Sequence, residues 1–420
     1  MNMPSIAIVG SGPSGCYVAQ ALRKQFPESE ISMYDRMPVP YGLVRYGVAP
    51  DHVGTKSIAH QFERLFTRES VSFIGNIEIG RDITLDELRN AYDVVVLASG
   101  LCGDRDLGIL GENLHGVYRA GSITRLFNDH PDEQSNSYQL GQRSVIVGNG
   151  NVAIDVLRLI SKSSESFAGS EVSDQSLQRI CRDHLIRIDI VGRSPLSDAK
   201  FDIVMLKELS ELEHVNFHTS IDQQELLAGG ARGEALKLLT DRNNNNARME
   251  VYFHFGWVPV SIKGGGIVEA IKFEGKNSPT EILELTAGSV ITAIGFNADR
   301  IRDFNRETLL GEGADLEDGK LDKGLYCVGW FKRGSQGTIA QNRADSKKVA
   351  SRIIADYEAN SLSKEGYPLL AEKLANATDF AGWKRVDELE LSTAPENRNR
   401  LKISKMSEII EIARQCAAGE

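Results

Sequence analysis

The chain has 420 residues and a formal net charge of −10, a length that suggests two or three domains with their own cores. The acidic balance argues against nucleic acid as a partner, and no apolar run approaches the roughly 20 residues needed to span a bilayer. The N-terminal residues lack the basic region of a signal peptide. We therefore expect a cytoplasmic enzyme.

The first motif is a glycine-rich turn that follows a predicted apolar strand at residues 5–9 and precedes a segment with helical periodicity. It reads Gly10-Ser11-Gly12-Pro13-Ser14-Gly15. In the dinucleotide-binding fingerprint, the first glycine permits the tight turn, the second lets a pyrophosphate approach the backbone, and the third allows close packing of the helix. The next strand ends at Asp35, where a carboxylate would accept hydrogen bonds from an adenosine ribose. These features together predict a dinucleotide site.

A second turn of this kind follows a predicted strand at residues 144–147 and reads Gly148-Asn149-Gly150-Asn151-Val152-Ala153. Alanine is an accepted variant in the last position. The next strand, at 187–191, ends at Gly192-Arg193 and not at an acid. An arginine there suits the 2′-phosphate of NADPH, although a solvated loop arginine is the alternative. Because a protein that holds two dinucleotides is suited to moving electrons between them, we expect a redox enzyme.

The remaining elements predict that one nucleotide-binding domain is inserted into the other. They are a helix at 56–66, strands at 94–98 and 236–240 with turns at 229–233 and 241–248, a strand at 289–295 that closes the insert, a strand at 325–328 that returns to the first domain, and a helix at 339–354. The expected fold is α/β, with two Rossmann-like dinucleotide-binding domains.

The cysteines are widely separated and include no C-x-x-C pair: Cys16, Cys102, Cys181, Cys327 and Cys416. A disulfide reductase with two dinucleotides needs a dithiol beside its flavin. Iron–sulfur and zinc sites need clustered cysteines. We therefore expect no metal in this chain, and we place any metal centre on a partner.

Four stretches, in chain order, carry longer signatures: residues 41–52 (YGLVRYGVAPDH), residues 148–155 (GNGNVAID), residues 329–334 (GWFKRG), and Gly382-Trp383 with Val386-Asp387. Together they resemble the adrenodoxin reductase family of ferredoxin-NADP reductases, including its bacterial members, over essentially the whole chain. The resemblance implies an FAD-binding domain of residues 1–104 and 318–420, and an inserted NADP-binding domain of residues 105–317.

The resemblance also implies which residues hold the cofactors. FAD would contact Gly10, Gly12, Ser14, Gly15, Asp35, Leu43 and Ile79, and its flavin end would contact Trp330, Gly337, Thr338 and Ile339. NADPH would lie on Asn149, Gly150, Asn151 and Val152, with Arg193 and Ser194 at the 2′-phosphate. His52 and Asp155 match positions near the flavin and would form a catalytic polar link for proton movement. For His52, a structural role is the alternative.

The chain departs from the family pattern at both cofactor sites. Arg193-Ser194 stands where the family shows paired arginines, and Met205-Leu206-Lys207-Glu208 replaces Glu-Leu-Arg-Glu. Loss of one charge-assisted phosphate contact costs about 1.5 to 3 kcal/mol of binding free energy. This loss reduces the preference for NADPH over NADH by roughly one to two powers of ten. Lys200 would compensate if its loop folds back. At the flavin, Gly334-Ser335-Gln336-Gly337-Thr338 replaces Gly-Pro-Thr-Gly-Val, which is expected to loosen the turn.

The implied reaction is that of an FAD-dependent NADPH:ferredoxin oxidoreductase, in which NADPH delivers a hydride to N5 of FAD and single electrons then pass to an iron–sulfur ferredoxin. Because ferredoxins are usually acidic, we expect a locally basic docking face on a monomer or weak dimer. The candidate residues are Arg45, Lys332, Arg333, Arg343, Lys347 and Lys348.

Three other functions stay open from the sequence alone. The first is a flavin-dependent NAD(P)H oxidase or monooxygenase. The second is the electron-input subunit of a larger complex, as in glutamate-synthase-like flavoproteins. The third is a redox sensor or scaffold that binds FAD without turnover. Rapid NADPH consumption without any ferredoxin would favour the first, and cysteine clusters ahead of the first glycine turn are typical of the second. Failure of NADPH and NADH to bleach the flavin absorbance under anaerobic conditions would favour the third.

Overall fold

The structure is a computed structural model that describes residues 3–242, 244–298, 306–311, 313–357 and 363–415. The chain divides into two compact units, Met1–Gly103 with Phe296–Glu420, and Asp104–Gly295. The first unit therefore resumes at Phe296, earlier than the boundary at residue 318 that the sequence predicts.

The strands and helices alternate along most of the chain. The strands are β1 (Ile6–Val9), β2 (Ile31–Tyr34), β3 (Val71–Ile74), β4 (Val94–Leu97), β5 (Gly103–Asp104), β6 (Val117–Arg119), β7 (Tyr138–Gln139), β8 (Arg143–Val147), β9 (Ile180–Cys181), β10 (Arg187–Gly192), β11 (Val215–Thr219), β12 (Met249–Phe255), β13 (Trp257–Lys263), β14 (Ala270–Gly275), β15 (Ile282–Thr286), β16 (Ser289–Thr292), β17 (Phe296–Asn297), β18 (Lys320–Asp322) and β19 (Leu325–Cys327). The helices are α1 (Pro13–Gln25), α2 (Leu43–Tyr46), α3 (Val53–Lys56), α4 (Ile58–Thr67), α5 (Leu85–Ala91), α6 (Ala120–Phe127), α7 (Asn151–Ser161), α8 (Asp174–Arg179), α9 (Ile203–Leu209), α10 (Gln223–Ala228), α11 (Ala231–Thr240), α12 (Arg306–Leu309), α13 (Trp330–Arg333), α14 (Ile339–Asp356), α15 (Phe380–Ser392) and α16 (Met406–Arg414). Short 3-10 helices occupy Pro131–Glu133, Glu165–Phe167, Leu196–Asp198 and Tyr367–Leu374.

The first unit is built on a sheet of order β18-β19-β4-β1-β2-β3, which is parallel apart from the antiparallel edge strand β18. All residues of β1, β2 and β4 are buried, as expected for a parallel sheet that is covered on both faces. Leu22 and Phe62 belong to the core on one face, and Leu88 and Leu370 to the core on the other. The predicted return of residues 325–328 to the first unit as a strand is confirmed, because β19 pairs with β4 of that unit.

The second unit has its own parallel sheet, of order β11-β12-β10-β8-β16-β6. An antiparallel meander, β13-β14-β15, adds a second layer. Val145 and Val191 of the parallel sheet share a core with Ile271 and Phe273 of the meander. The predicted fold class, two Rossmann-like domains with one inserted into the other, is confirmed.

One predicted element is wrong. Residues 236–240 form the end of helix α11 and not a strand. Leu236 and Leu239 are buried at helical spacing, and a Cβ on Gly233 would lie 1.7 Å from the carbonyl oxygen of Leu226. The glycines at 229–233 therefore let α10 and α11 approach closely, whereas the sequence predicts a turn there.

Candidate cofactor sites

The first glycine turn connects β1 to α1 and contains glycines of two kinds. Gly10 has φ 110°, and a Cβ there would lie 2.4 Å from the carbonyl oxygen of Ala98. A Cβ on Gly15 would lie 2.0 Å from the carbonyl oxygen of Gly10. At Gly12, by contrast, an added Cβ would meet nothing within 4 Å. Gly10 and Gly15 are thus required by the chain itself, while Gly12 leaves open space in front of the helix.

The second turn, between β8 and α7, repeats this geometry. Gly148 has φ 124°, and a Cβ there would lie 2.3 Å from the carbonyl oxygen of Ala293, whereas a Cβ on Gly150 would again meet nothing within 4 Å. The amides of Gly10 and Gly148 donate to the strands beside them, at 2.7 Å to Tyr34 and 2.8 Å to Val191. The two units therefore present the same turn twice.

Both turns end at a helix N-terminus that is open to an anion. Gly12 and Gly150 are the N-cap residues of α1 and α7, and neither helix has a side-chain cap. The first amides of a helix lack partners within the helix, and the helix dipole favours negative charge there. The open space at the middle glycine and the uncapped amides together fit the pyrophosphate of a dinucleotide.

Asp35 is held rigidly beside the first turn. Its Oδ2 accepts hydrogen bonds from the Ser11 amide at 2.9 Å and the Ser11 hydroxyl at 2.5 Å, and its Oδ1 accepts one from the Met37 amide at 2.9 Å. An ionised carboxylate offers about four acceptor positions. The half-buried Asp35 can therefore still accept a hydrogen bond from a ribose hydroxyl.

The segment of residues 41–52 lies directly against this turn. The Tyr41 amide donates to the carbonyl oxygen of Ser11 at 3.2 Å, and a Cβ on Gly42 would lie 3.2 Å from the Cα of Gly12. Leu43 follows and is 39% exposed, and its side chain lies over Gly47. Ile79, predicted to lie along the cofactor, is buried in the core of the first unit.

Residues from late in the chain return to the first turn at Ser14. A Cβ on Gly329 would lie 2.0 Å from the Ser14 hydroxyl, and the Ser346 hydroxyl donates to the Ser14 carbonyl at 3.1 Å. The Gly329 amide donates to Asp345 at 2.8 Å. Gly329 thus needs to be glycine because it packs on Ser14.

Trp330 follows Gly329 and stacks on Phe296, with ring centroids 5.7 Å apart. Its indole Nε1 is buried, and it has no hydrogen-bond partner among the residues that the structure describes. Because a buried indole nitrogen normally finds an acceptor, this donor fits a ligand at the predicted flavin end.

The turn after Trp330 is held by a hydrogen bond near each of its ends. The Ser335 hydroxyl accepts a hydrogen bond from the Phe296 amide at 3.2 Å, which proline in its place could not do. The Thr338 amide donates to the side chain of Gln341 at 2.8 Å. The N-terminus of α14, which begins at Ile339, is therefore partly satisfied by its own first turn, and Gly337 takes the φ of 94° that its position requires.

In the second unit, the residues predicted to hold NADPH surround the second turn. The Asn149 side chain fills the space over Gly192, where a Cβ would lie 2.1 Å from its Nδ2. Asn151 accepts a hydrogen bond from the Asp202 amide at 2.8 Å, and Val152 is half-buried. Arg193 is exposed after β10. The loop of residues 193–202 is thus fastened to the start of α7.

His52 and Asp155, the residues predicted to move protons, belong to different units. His52 is the half-buried N-cap residue of α3. Asp155 is half-buried on α7, and its Oδ1 accepts a hydrogen bond from Arg158 at 3.2 Å. Arg158 also lies 3.2 Å from Glu208. Within the second unit, Asp155 is therefore part of a charged cluster.

The thiols that lie near the first turn and β19 are buried and protonated. Burial, with a smaller contribution from Asp35, raises the pKa of Cys16 far above its ordinary value, and burial raises the pKa of Cys327 to about 12. Cys102 is half-buried and Cys181 exposed, and Cys416 lies outside the described residues. In the part of the chain that is described, no cluster of three potential metal ligands occurs, and no helix is long and apolar enough to cross a membrane.

Two residues predicted for a basic docking face are buried, so these predictions are wrong. The Arg45 side chain is 4% exposed, lies 2.5 Å from Glu390, and stacks on Trp383 at 4.8 Å. The Lys332 side chain is also 4% exposed and lies 2.5 Å from Asp345. A cation that is buried and paired cannot attract an acidic partner. The other candidates differ in their contacts: Arg333 is half-buried near Asp345, Lys348 pairs with Glu317, and Arg343 and Lys347 are exposed.

Two similar nucleotide turns on two Rossmann-like units define a dinucleotide-dependent oxidoreductase. The model of the pyridine nucleotide-disulphide oxidoreductase family matches residues 4–308, and the chain belongs to this family. Within it, the chain is a member of the adrenodoxin reductase-like ferredoxin reductases, so the resemblance and the enzyme class predicted from the sequence are confirmed.

Three relatives illustrate this membership. Cindoxin reductase of Citrobacter braakii is 44% identical over 98% of this chain and 91% of its own. NADPH-ferredoxin reductase FprA of Mycobacterium leprae is 31% identical over 97% of this chain and 98% of its own. The solved structure of Mycobacterium tuberculosis FprA in complex with NADPH matches with a TM-score of 0.89 at 29% identity, and the match covers 99% of this chain and 100% of FprA.

Proposed function

We propose that the chain is an FAD-dependent NADPH:ferredoxin oxidoreductase, with FAD on the first glycine turn and NADPH on the second. The observation that carries this proposal is the repeated turn, with open space at Gly12 and at Gly150. Family membership supports it. When bound, the two cofactors supply hydride transfer from the nicotinamide to the flavin and one-electron release.

The chain's own residues bind and orient the cofactors. The amides at the start of α1 hold the FAD pyrophosphate over Gly12, and Asp35 accepts a hydrogen bond from the adenosine ribose. Gly10, Ser14 and Gly15 shape this turn, and Leu43 and Ile79 provide apolar surface. At the flavin end, Trp330 donates a hydrogen bond from its Nε1–H to the cofactor. The turn of Gly337, Thr338 and Ile339, at the start of α14, also lies at this end.

The second unit performs the same task for NADPH. The amides of α7 beyond Gly150 hold the pyrophosphate, and Asn149, Asn151 and Val152 line the turn. Arg193 and Ser194 face the 2′-phosphate. His52 and Asp155 hold and move protons at their imidazole nitrogens and carboxylate oxygens. The FAD-binding domain then comprises the first unit and the NADP-binding domain the second.

The electron acceptor in this proposal is a small acidic iron–sulfur ferredoxin of the cytoplasm. It is attracted by Arg343 and Lys347, which are exposed on α14 close to the flavin turn. Arg333 lies at the edge of this basic surface. Electrostatic attraction of this kind speeds encounter and sets orientation.

Anaerobic stopped-flow reduction with NADPH and NADH in parallel tests the proposal. We expect NADPH to bleach the flavin absorbance with the higher efficiency, and the reduced enzyme then to reduce a ferredoxin. Higher efficiency with NADH would overturn the cofactor assignment. A flavin that neither nucleotide bleaches would show a binding protein without turnover. In a parallel assay in air, rapid NADPH oxidation without any ferredoxin would show an oxidase.

A further inference from the structure

The 2′-phosphate end of the second site has one arginine where two would be expected. Arg193 follows β10 directly, is exposed, and has no ion-pair partner within the described ranges. Its neighbour Ser194 carries no charge. A single exposed cation in water gives a weak phosphate contact. A second cation within reach of this turn would strengthen the binding of the 2′-phosphate.

The sheet topology brings another basic residue to the same edge. Gly192 of β10 pairs with Phe255 of β12, so Arg193 and Gly256 come directly after paired residues. The Gly256 amide donates to the carbonyl oxygen of Ser194 at 3.3 Å. Trp257 in turn pairs with Gly275 of β14, and the Lys276 amide donates to the carbonyl oxygen of Gly256 at 2.7 Å. Ser194 and Lys276 are therefore both hydrogen-bonded to Gly256, which connects the parallel sheet to the meander.

Lys276 is exposed and has no ion-pair partner in the described part of the chain. Its backbone lies two hydrogen bonds from Ser194, and at about 5 Å between hydrogen-bonded backbones the separation is at most about 10 Å. Lysine and arginine side chains are long and flexible enough to converge on one phosphate across that span. We propose that Lys276 supplies the second positive charge of the 2′-phosphate site, in place of the arginine that Ser194 replaces. This proposal rests on the proposed function, in which the second unit binds NADPH.

Two other basic residues lie in the same region, but they make different contacts. The Arg232 guanidinium donates from Nε to the carbonyl oxygen of Phe201 at 3.3 Å, so its role is to hold the loop. Lys200 is exposed on that loop, beyond the 3-10 turn at Leu196–Asp198. Neither is bonded to the Arg193-Ser194 turn, whereas Lys276 is connected to it through Gly256.

Binding of 2′,5′-ADP and of 5′-AMP to the FAD-loaded protein, measured by calorimetry, tests the proposal because these ligands differ only in the 2′-phosphate. We expect Lys276→Gln to lower the affinity for 2′,5′-ADP about tenfold at low salt and to leave the affinity for 5′-AMP unchanged. Lys276→Arg should bind both ligands with the wild-type affinity. Lys263→Gln, in the same meander and paired with Glu284, is the control. Lys200→Gln and Arg232→Gln test the other cations.

Wild-type affinity of Lys276→Gln for 2′,5′-ADP would overturn the proposal, as would a tenfold loss in Lys200→Gln alone. Equal weakening of both ligands would also contradict it, since the lysine would then act on the adenosine or the fold. If the wild-type protein itself does not distinguish 2′,5′-ADP from 5′-AMP, the NADPH assignment fails, whatever Lys276 does. The two failures are thus separate observations.

Discussion

At the scale of single residues, the glycine turns were open to prediction because each glycine has a separate physical reason. Gly10 and Gly148 need a positive φ and closely approach a neighbouring backbone, and Gly12 and Gly150 leave space. A sequence pattern carries this information since only glycine meets such demands. Burial of a charged side chain leaves no such local pattern, and so Arg45 was misassigned. Its partner Glu390 is 345 residues away.

The middle glycines allow a test that separates cofactor binding from folding. In Gly12→Ala, the new methyl group occupies the open space that we propose for the FAD pyrophosphate, and it has no protein atom within 4 Å. We expect the free energy of unfolding of the apoprotein to change by no more than about 0.5 kcal/mol, and the dissociation constant for FAD to rise at least about tenfold. Urea unfolding and FAD fluorescence measure the two quantities.

Gly150→Ala should weaken the binding of NADP⁺ for the same reason, and FAD should stay bound. Gly265→Ala, whose added methyl group would have one neighbour at 3.7 Å, is the control for substitution at an open glycine. Tight FAD binding by Gly12→Ala would contradict the placement of FAD on the first turn.

At the scale of elements, periodicity predicted the strands β1, β2 and β4 and the long helix α14, because their apolar residues repeat as the sheet and the helix require. It did not predict α11, where glycines that serve close helix packing resemble turn residues. It also did not reveal that α15 is paired with Arg45, since that ion pair joins distant segments of the chain.

The ion pairs of α15 predict that Glu390 is needed for FAD binding. Its fully buried carboxylate lies 2.5 Å from Arg45 and 2.9 Å from Arg400, and it accepts the Ile403 amide at 2.9 Å. Glu390→Gln leaves Arg45 as an uncompensated buried cation, a change that costs about 3 to 5 kcal/mol. We expect a lower melting temperature and faster FAD release, because Arg45 lies in the segment that packs on Gly12.

Glu388→Gln, on the same helix but exposed, is the matched control and should behave as wild type. FAD release is followed by the recovery of flavin fluorescence. An unchanged FAD affinity in Glu390→Gln would show that α15 stabilises the fold without ordering the cofactor segment.

The pairing of β10 with β12 makes a pH-dependent contribution to stability. Burial alone would raise the pKa of Asp189, but hydrogen bonds from Arg187 and His254 hold this pKa below its ordinary value of 3.8. A carboxyl group whose pKa is lower in the folded state stabilises the fold above its unfolded pKa, and this contribution is lost as the pH falls through the folded pKa. Asp189→Asn should therefore lose stability at neutral pH and approach wild type below about pH 4.

Urea unfolding of both proteins between pH 7 and pH 3 measures this difference. Glu211→Gln, which removes an exposed carboxylate, is the control and should show no such convergence. A difference between wild type and Asp189→Asn that stays constant over the whole range would contradict the assigned linkage.

At the scale of the whole molecule, net charge and family resemblance predicted the class of protein but not its docking surface. The chain is acidic overall, and of the six basic candidates two are buried, one is half-buried and one is paired with Glu317. What remains is Arg343 and Lys347, four residues apart on α14 and therefore on one face of that helix. Burial had to be known before the surface could be defined.

Reversal of these two charges provides the final prediction. In Arg343→Glu/Lys347→Glu, an acidic ferredoxin should be repelled, and its KM should rise about tenfold at low ionic strength. The increase should shrink in high salt because exposed charges are screened. Flavin reduction by NADPH should be unchanged, since neither residue belongs to a cofactor turn. Arg68→Glu, an exposed charge reversal after α4, controls for net charge. A similar rise in KM with Arg68→Glu would show that total charge, and not the surface of α14, governs the encounter.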